Sequence, residues 1–245
     1  QGRRLRHQHA GAAARELQKR HLRRIGPRVL DRVCGDRRQI VDVDEAVAQA
    51  GPPIVPLMTG RFSLRTVDPD GGDPAMLAAW FARPHLVEAW DQAWSAPQWA
   101  ADSRYRLGGD YSRPIIVSYD GAEVAYLELY RVARDEIARL YRVDPFDSGL
   151  HIATADETLL GRGVMSGFMG ELAEAVFDAD PRCHRFASEP EYSNMRMRRA
   201  LERQGFTDLG EFDIRPDRRI ALYIRGRTPA DVPTPYAPDT VASRT

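Results

Sequence analysis

Apolar and polar side chains alternate through Phe62-Ser63-Leu64-Arg65-Thr66-Val67, the period-two signature of a half-buried strand. This predicts that the folded body starts near Phe62. Asp73-Pro74 then resembles an N-cap followed by proline at the first helical position, and a short helix is predicted to Phe81. A second short helix is predicted over Pro84–Asp91, and a third from a Ser95 cap to about Leu107. Two apolar runs follow, Pro114–Tyr119 and Glu123–Tyr130. Asp120-Gly121 between them is a turn dipeptide favoured in tight hairpins, so an antiparallel pair is predicted. The mixed stretch 131–148 reads as a loop, and 149–155 as the next strand. From Gly163 the apolar positions Val164, Phe168, Leu172 and Val176 recur every four residues, marking one face of a helix. Arg185–Ser188 reads as a short strand. Asn194–Gln204 reads as a helix with Met197, Ala200 and Leu201 inward, closed by Gly205. Phe206–Phe212 and Arg219–Arg225 read as a last hairpin. The order is α+β, or mixed α/β, with a largely antiparallel twisted central sheet flanked by helices.

Composition adjusts this picture at the two ends. The chain has 245 residues and balanced charge, enough for one domain with an extension. The balance hides an asymmetry: residues 1–40 carry twelve Lys/Arg against three Asp/Glu, leaving twenty-three against thirty-two in the rest. Residues 1–60 therefore read as a basic extension and linker, with Gly51-Pro52-Pro53 and Pro56 breaking any helix. Residues 61–227 read as the folded domain, and 228–245, rich in Pro, Thr and Ala, as a disordered tail. The basic arm has no aromatic residue to stack on bases. Leu17, Leu22, Ile25, Val29 and Leu30 would give it one apolar face, so nucleic-acid binding is not expected. No apolar run approaches a membrane span, and no secretory signal is visible, so a cytoplasmic location is expected. Cys34 and Cys183 are too few for a disulfide scaffold or a thiolate metal site. No metal is expected, and the chain should be a monomer or homodimer.

The chemistry concentrates in residues 149–206. Gly161-Arg162-Gly163 opens a helix, where backbone N–H groups face outward and the helix dipole favours an anion. The loop has two readings, a phosphate cradle or a plain glycine turn before a core helix. His151, at the start of a strand, is a natural general base near neutral pH, or a structural histidine. Glu189 ends the following strand, where binding sites commonly lie; it could take a proton, hold a cation, or be merely solvated. Asn194 could cap the next helix. Of the tryptophans at 80, 90, 94 and 99, one could wall a pocket. No Gly-x-Ser-x-Gly elbow and no His-Glu-x-x-His is present.

Taken together, several segments are more specific than any one of them. Arg83-Pro84-His85-Leu86 with Ala89-Trp90 is followed by Tyr126-Leu127-Glu128-Leu129-Tyr130. Asp147-x-Gly149-Leu150-His151 and Asp180-Pro181-Arg182 come next, then Glu189-Pro190-Glu191 with Asn194. Gly205-Phe206, Glu211-Phe212-Asp213 and Arg218-Arg219 complete the set. Over residues 62–225 the chain resembles the GNAT superfamily of acyl-CoA-dependent N-acyltransferases. It is most similar to the siderophore branch, which includes aerobactin-type hydroxylysine acetyltransferases and mycobactin lysine acyltransferases. The resemblance implies acyl-CoA, with acetyl-CoA foremost, as co-substrate. It places the pantetheine arm along His151, Ile152 and Ala153, the pyrophosphate at Gly161, Arg162, Gly163, Val164 and Met165, and the thiol end near Asn194. His151 and Glu189 become the proton-handling pair, and Trp90, Glu128 and Tyr130 the acceptor pocket, with Glu128 or Glu189 holding the acceptor's α-amino group. The implied reaction joins a short acyl group to the side-chain hydroxylamine or amine of a hydroxylysine, hydroxyornithine or diamine, by direct attack. Its product is a siderophore hydroxamate. A long-chain acyl group arriving on a carrier protein is the alternative, and a non-catalytic acyl-CoA-binding module a lesser one.

Overall fold

A computed structural model describes residues 45–237, apart from residues 47 and 91. The chain lays down β1 (Phe62–Thr66), α1 (Asp73–Phe81), α2 (Pro84–Ala89), α3 (Ala96–Gly108), β2 (Ser112–Tyr119), β3 (Ala122–Arg131) and β4 (Ser148–Thr154). It continues with α4 (Val164–Ala179), β5 (Arg185–Ser188), α5 (Met195–Arg203), β6 (Thr207–Arg215) and β7 (Arg218–Gly226). The strands form one sheet in the order β1-β2-β3-β4-β5-β7-β6. All neighbours are antiparallel except β4 and β5. That parallel pair is the strand–helix–strand unit whose crossover is α4, and its pairing stops at Leu150 and Ser188. β4 runs on to Thr154 beside β3, so from His151 onward the two parallel strands part company.

Strand alternation sorts the side chains onto two faces. Leu127, Leu129, Leu150 and Phe186 point to one face and pack under Phe168, Leu172 and Val176 of α4 and Leu201 of α5. The other face is covered twice. Ile116, Tyr126 and Ala153 meet Leu77, Phe81, Leu86 and Trp99 of α1–α3. Tyr130, Ala187, Leu222 and Ile224 meet Ile137, Leu140 and Tyr141. Glu128 lies between Tyr126 and Tyr130 along β3, so a polar seam separates these two apolar clusters.

The predicted elements form, and so does the predicted hairpin turn, with Asp120 (φ 49°) and Gly121 (φ 82°) both in the left-handed region. Ser95 caps α3, accepting and returning bonds with Gln98. Two features differ. Asp73 is not the cap of α1. Gly72 holds that position, and the Asp73 carboxylate instead accepts from Arg65 (2.8 Å) and from the Asp68 N–H (2.7 Å). The stretch 131–148 is not an open loop. It makes two short 3-10 turns, Val132–Arg134 and Glu136–Arg139, and buries Ile137, Leu140 and Tyr141.

The segments flanking the domain also pack onto it. Buried Arg131 donates to the carbonyls of Gly51 (3.0 Å) and Pro52 (3.2 Å), and the Tyr236 N–H donates to the Leu140 carbonyl (2.8 Å). The basic arm with its apolar positions and residues 238–245 lie outside the described residues.

One glycine in the sheet is there for space. A Cβ at Gly149 would sit within 2.7 Å of three atoms of the Tyr130 side chain, because that aromatic ring lies across the facing position on β4. Gly149→Ala is therefore expected to destabilise the protein by about 1–3 kcal/mol through overpacking, measured as a lower urea midpoint at an unchanged slope.

Candidate active site

The polar seam is a line of alternating charges. On α3, Arg106 donates to Asp102 one turn earlier (2.6 Å) and lies 3.2 Å from Glu128 on β3, with both carboxylates and the guanidinium buried. The register places His151 of β4 opposite Glu128, and His151 Nδ1–H donates to Glu128 Oε2 (3.2 Å). His151 Nε2–H donates to Glu189 Oε1, just past the end of β5. Tyr130 closes the group: its hydroxyl donates to Glu189 Oε2 (2.6 Å), and its ring stacks on the imidazole with centroids 4.6 Å apart. Trp90 stands edge-on to the same imidazole at 6.4 Å. The Tyr126 hydroxyl donates to Glu128 (3.0 Å).

The electrostatics follow from this geometry. Burial alone would drive the proton off His151, but the charge of Glu189 and the hydrogen bonds to Glu128 and Glu189 outweigh it and raise the imidazole to about 10. Burial likewise opposes ionisation of Glu189, yet the His151 charge and bonds, with Arg218, keep its carboxyl below the ordinary value. At neutral pH the pair rests as imidazolium and carboxylate. His151 must therefore give up this proton before it can serve as the expected general base. Cys183 is no rival nucleophile, since burial pushes its thiol up to about 11.

Beside this pair lies an open strand edge. From His151 to Thr154, the edge of β4 away from β3 has no partner strand among the described residues. Apart from the Thr154 carbonyl, which accepts from His85, that leaves backbone N–H and C=O groups available to an extended ligand. Past the end of β4 the chain runs through a 3-10 turn, Glu157–Leu159, to Gly161-Arg162-Gly163. Gly161 and Gly163 both have φ 79°, a left-handed conformation suited to glycine, and the loop delivers the chain into the 16-residue α4. The first-turn N–H groups of α4, around Val164 and Met165, have no partners within the helix. Arg196 of α5 lies 3.2 Å from where a Gly161 Cβ would be, adding a second cation beside exposed Arg162. These residues fit a pyrophosphate at a helix N-terminus. Upstream, Arg83 donates to the Ala155 carbonyl and His85 to the Thr154 carbonyl (3.0 Å), tying α2 to the end of β4.

His151, Glu189, Tyr130, Glu128 and Trp90 are thus brought together, with Ile152 and Ala153 continuing the same strand. Two of them sit otherwise than expected. Glu128 is 2% exposed and committed to Arg106, Tyr126 and His151, so it backs the imidazole instead of facing an acceptor. The Tyr130 hydroxyl is likewise committed to Glu189. Asn194 is the N-cap of α5, accepting from the Met197 N–H (3.1 Å). Sequence reading missed Arg106 and gave Arg218 no role. The Arg106–Asp102 spacing of four on a helix was the available signal. A cavity of about 550 Å³ beside Met58, Glu171 and Glu174 lies on the solvent face of α4, away from His151. Among the described residues no side-chain group is arranged to hold a metal ion, and no helix is long and apolar enough to cross a membrane.

A sheet whose parallel central strands separate, with a glycine loop opening the crossover helix, defines an acyltransferase of the GNAT kind. The family described as "Acetyltransferase (GNAT) domain" matches residues 70–214, and the chain belongs to it. Lysine N-acyltransferase MbtK from Mycobacterium sp. (strain MCS) is 42% identical over 196 residues, 80% of each chain. N(6)-hydroxylysine O-acetyltransferase from Escherichia coli is 28% identical, over 70% of this chain and 54% of its own. Among solved structures, aminoglycoside acetyltransferase AAC(6')-Ib with coenzyme A and kanamycin superposes with a TM-score of 0.58 at 25% identity, covering 68% of this chain and 95% of its own.

The imidazolium leaves a thermodynamic signature. A histidine held above its ordinary value of about 6.5 stabilises the fold fully below that pH and loses the contribution as pH rises through its folded value. Wild-type protein should therefore lose thermal stability as pH climbs from neutrality through about 10. His151→Asn, which has no such proton to lose, should lose less over the same range by scanning calorimetry.

Proposed function

We propose that this acyltransferase moves an acyl group from a CoA thioester to the side-chain nitrogen of a lysine-type acceptor, by direct attack within a ternary complex. The observation that carries the reading is the His151–Glu189 pair at the point where β4 leaves β5, with the open edge of β4 and the glycine loop at the head of α4 following it in the chain. The similarity to lysine N-acyltransferases supports lysine itself as acceptor. The hydroxylamine acceptors in the names of relatives at 28% identity, N(6)-hydroxylysine O-acetyltransferase and N-hydroxyputrescine acetyltransferase, support the second reading, an N-hydroxylated side chain. A carrier protein presents the same pantetheine arm to the open edge of β4. The two left-handed glycines with Arg162 and Arg196 suit the pyrophosphate that distinguishes CoA. Acylation of an N-hydroxylated side chain gives a hydroxamate, and the likeness to siderophore-related acyltransferases supports a step in siderophore assembly.

The roles follow from charge. A lysine ammonium has a pKa of about 10.4 and must shed a proton before its nitrogen can attack. Brought next to the His151 imidazolium, the ammonium disfavours the second positive charge, so the proton leaves His151 more readily than in the empty site. Neutral His151, held by Glu128 behind and Glu189 beside it, then accepts the acceptor's proton. Nitrogen bonds to the thioester carbon, the carbon–sulfur bond breaks, and a proton ends on the sulfur. Backbone N–H groups on the open edge of β4 near His151 face the developing oxyanion, a contribution of about 3–4 kcal/mol in other enzymes. Trp90 walls the acceptor side. A hydroxylamine is far less basic and arrives neutral, so His151 has only to receive the proton released on attack.

Three outcomes are expected from a thiol-release screen that crosses acetyl- and long-chain acyl-CoA with lysine, hydroxylysine, hydroxyornithine and hydroxycadaverine. His151→Ala should lower kcat by roughly 10²–10⁴-fold, and an unchanged rate would remove His151 from the chemistry. With lysine, kcat/KM should rise with pH toward about 10 as His151 loses its resting proton, and more steeply than with hydroxylysine. Gly163→Val, which forces a β-branched residue into a left-handed position, should raise KM for acyl-CoA with a smaller change in kcat.

A further inference from the structure

The line of charges continues past Glu189. Arg218, which opens β7, places Nη2 3.5 Å from Glu189 Oε1 and donates through Nη1 to Glu136. The Glu189 side chain is wholly enclosed, whereas Arg218 remains 25% exposed, so the arginine reaches from the surface to a carboxylate that does not. Its partner Glu136 lies on the 3-10 turn before β4 and is also 3.5 Å from Arg215 at the end of β6. Neighbouring Asp135 accepts from the Tyr111 hydroxyl (2.8 Å), and Tyr111 lies against the ring of Tyr130. The charged and titratable groups that bear on Glu189 are therefore His151 of β4, Tyr130 and more distantly Glu128 of β3, Arg218 of β7, and through Arg218 the Glu136, Asp135 and Arg215 side chains.

The geometry points to Arg218 as a positioning residue: shared between Glu136 and Glu189, it sets the pH range over which His151 keeps its proton. A guanidinium stays charged at any working pH, and in an enclosed site its field is weakly screened. Glu136 takes the hydrogen bond, which leaves Glu189 at charge distance only. Glu189 thus feels part of the arginine's charge and keeps enough of its own to hold the imidazolium. The two partners then have opposite effects. Without Arg218 the Glu189 charge falls wholly on His151, which keeps its proton to higher pH. Without the Glu136 charge, Arg218 acts more fully on Glu189 and His151, and the proton leaves at lower pH. The inference rests on the acyl-transfer reading only for its kinetic consequence.

The test is a nuclear magnetic resonance titration of the His151 ring in ¹⁵N-histidine-labelled full-length protein, assigned with His151→Asn. Arg218→Gln should move the His151 midpoint up by roughly one unit, Glu136→Gln should move it down, and Arg218→Lys should restore most of the wild-type value. A hairpin merely loosened by either change would move both midpoints the same way. That result, or no movement in either, overturns the inference. The alkaline rise of kcat/KM should follow the midpoints. If the midpoints move with opposite signs while the rise stays fixed, Arg218 keeps its role and the assignment of His151 to the proton path fails.

Discussion

The pairing of His151 with Glu128 on one side and Glu189 on the other is the constraint around which the rest of the site is arranged. Two carboxylates cannot be enclosed beside a half-buried imidazole unless every charge is answered, because each unanswered ion costs several kcal/mol. The sheet answers them by alternation: Asp102, Arg106, Glu128, His151, Glu189, Arg218 and Glu136 change sign at every step. Beyond the Asp102–Arg106 pair on α3, each link comes from a different element or its border. Helix α3, strands β3 and β4, the end of β5, the start of β7 and the turn before β4 must therefore all be in place together. Losing one partner of a buried pair of this kind costs about 3–5 kcal/mol, and stability and chemistry here draw on the same contacts.

The surrounding packing serves that line. The α4 face of the sheet is continuous and apolar and needs nothing from the site. The opposite face is cut into two clusters by the seam, and aromatic rings guard both margins. Tyr126 and Tyr130 turn their hydroxyls to the carboxylates and their rings to the apolar clusters. Gly149 is the cost of that arrangement, since the Tyr130 ring occupies the space a side chain would need. The break between β4 and β5 does two things at once. It leaves the edge of β4 unpaired from His151 onward, and it brings His151 against the enclosed Glu189 at the same point.

Most of the secondary structure was legible because its signals are local. Alternation marked β1, the four-residue spacing of Val164, Phe168, Leu172 and Val176 marked α4, and Asp120-Gly121 marked the hairpin. The stretch 131–148 was not legible, because nothing periodic shows that Ile137, Leu140 and Tyr141 are covered by Ile220, Leu222 and Ile224 from the far end of the chain. Asp73 failed as a cap for a similar reason, since Arg65 on the neighbouring strand claims its carboxylate. In the site, His151, Glu189 and the glycine loop could be singled out from residue type, position and family resemblance. Glu128 could be singled out too, but its task could not, because Arg106 and His151 reach it from a helix and a strand distant in sequence.

Residue order alone was enough to establish the order of elements, the antiparallel pair, the glycine loop at the head of a helix, and the family. The first three rest on short-range geometry and side-chain periodicity, and the family on the resemblance of several short segments to a known set. The resting charge of His151, the seat of Glu128 behind it and the link through Arg218 to Glu136 came from the folded sheet. His151 meets Glu128 across 23 residues and Glu189 across 38, and Arg218 meets Glu136 across 82. The ionisation of an enclosed group is set by whichever charges share its enclosure, and only the packing of distant strands brings those charges together.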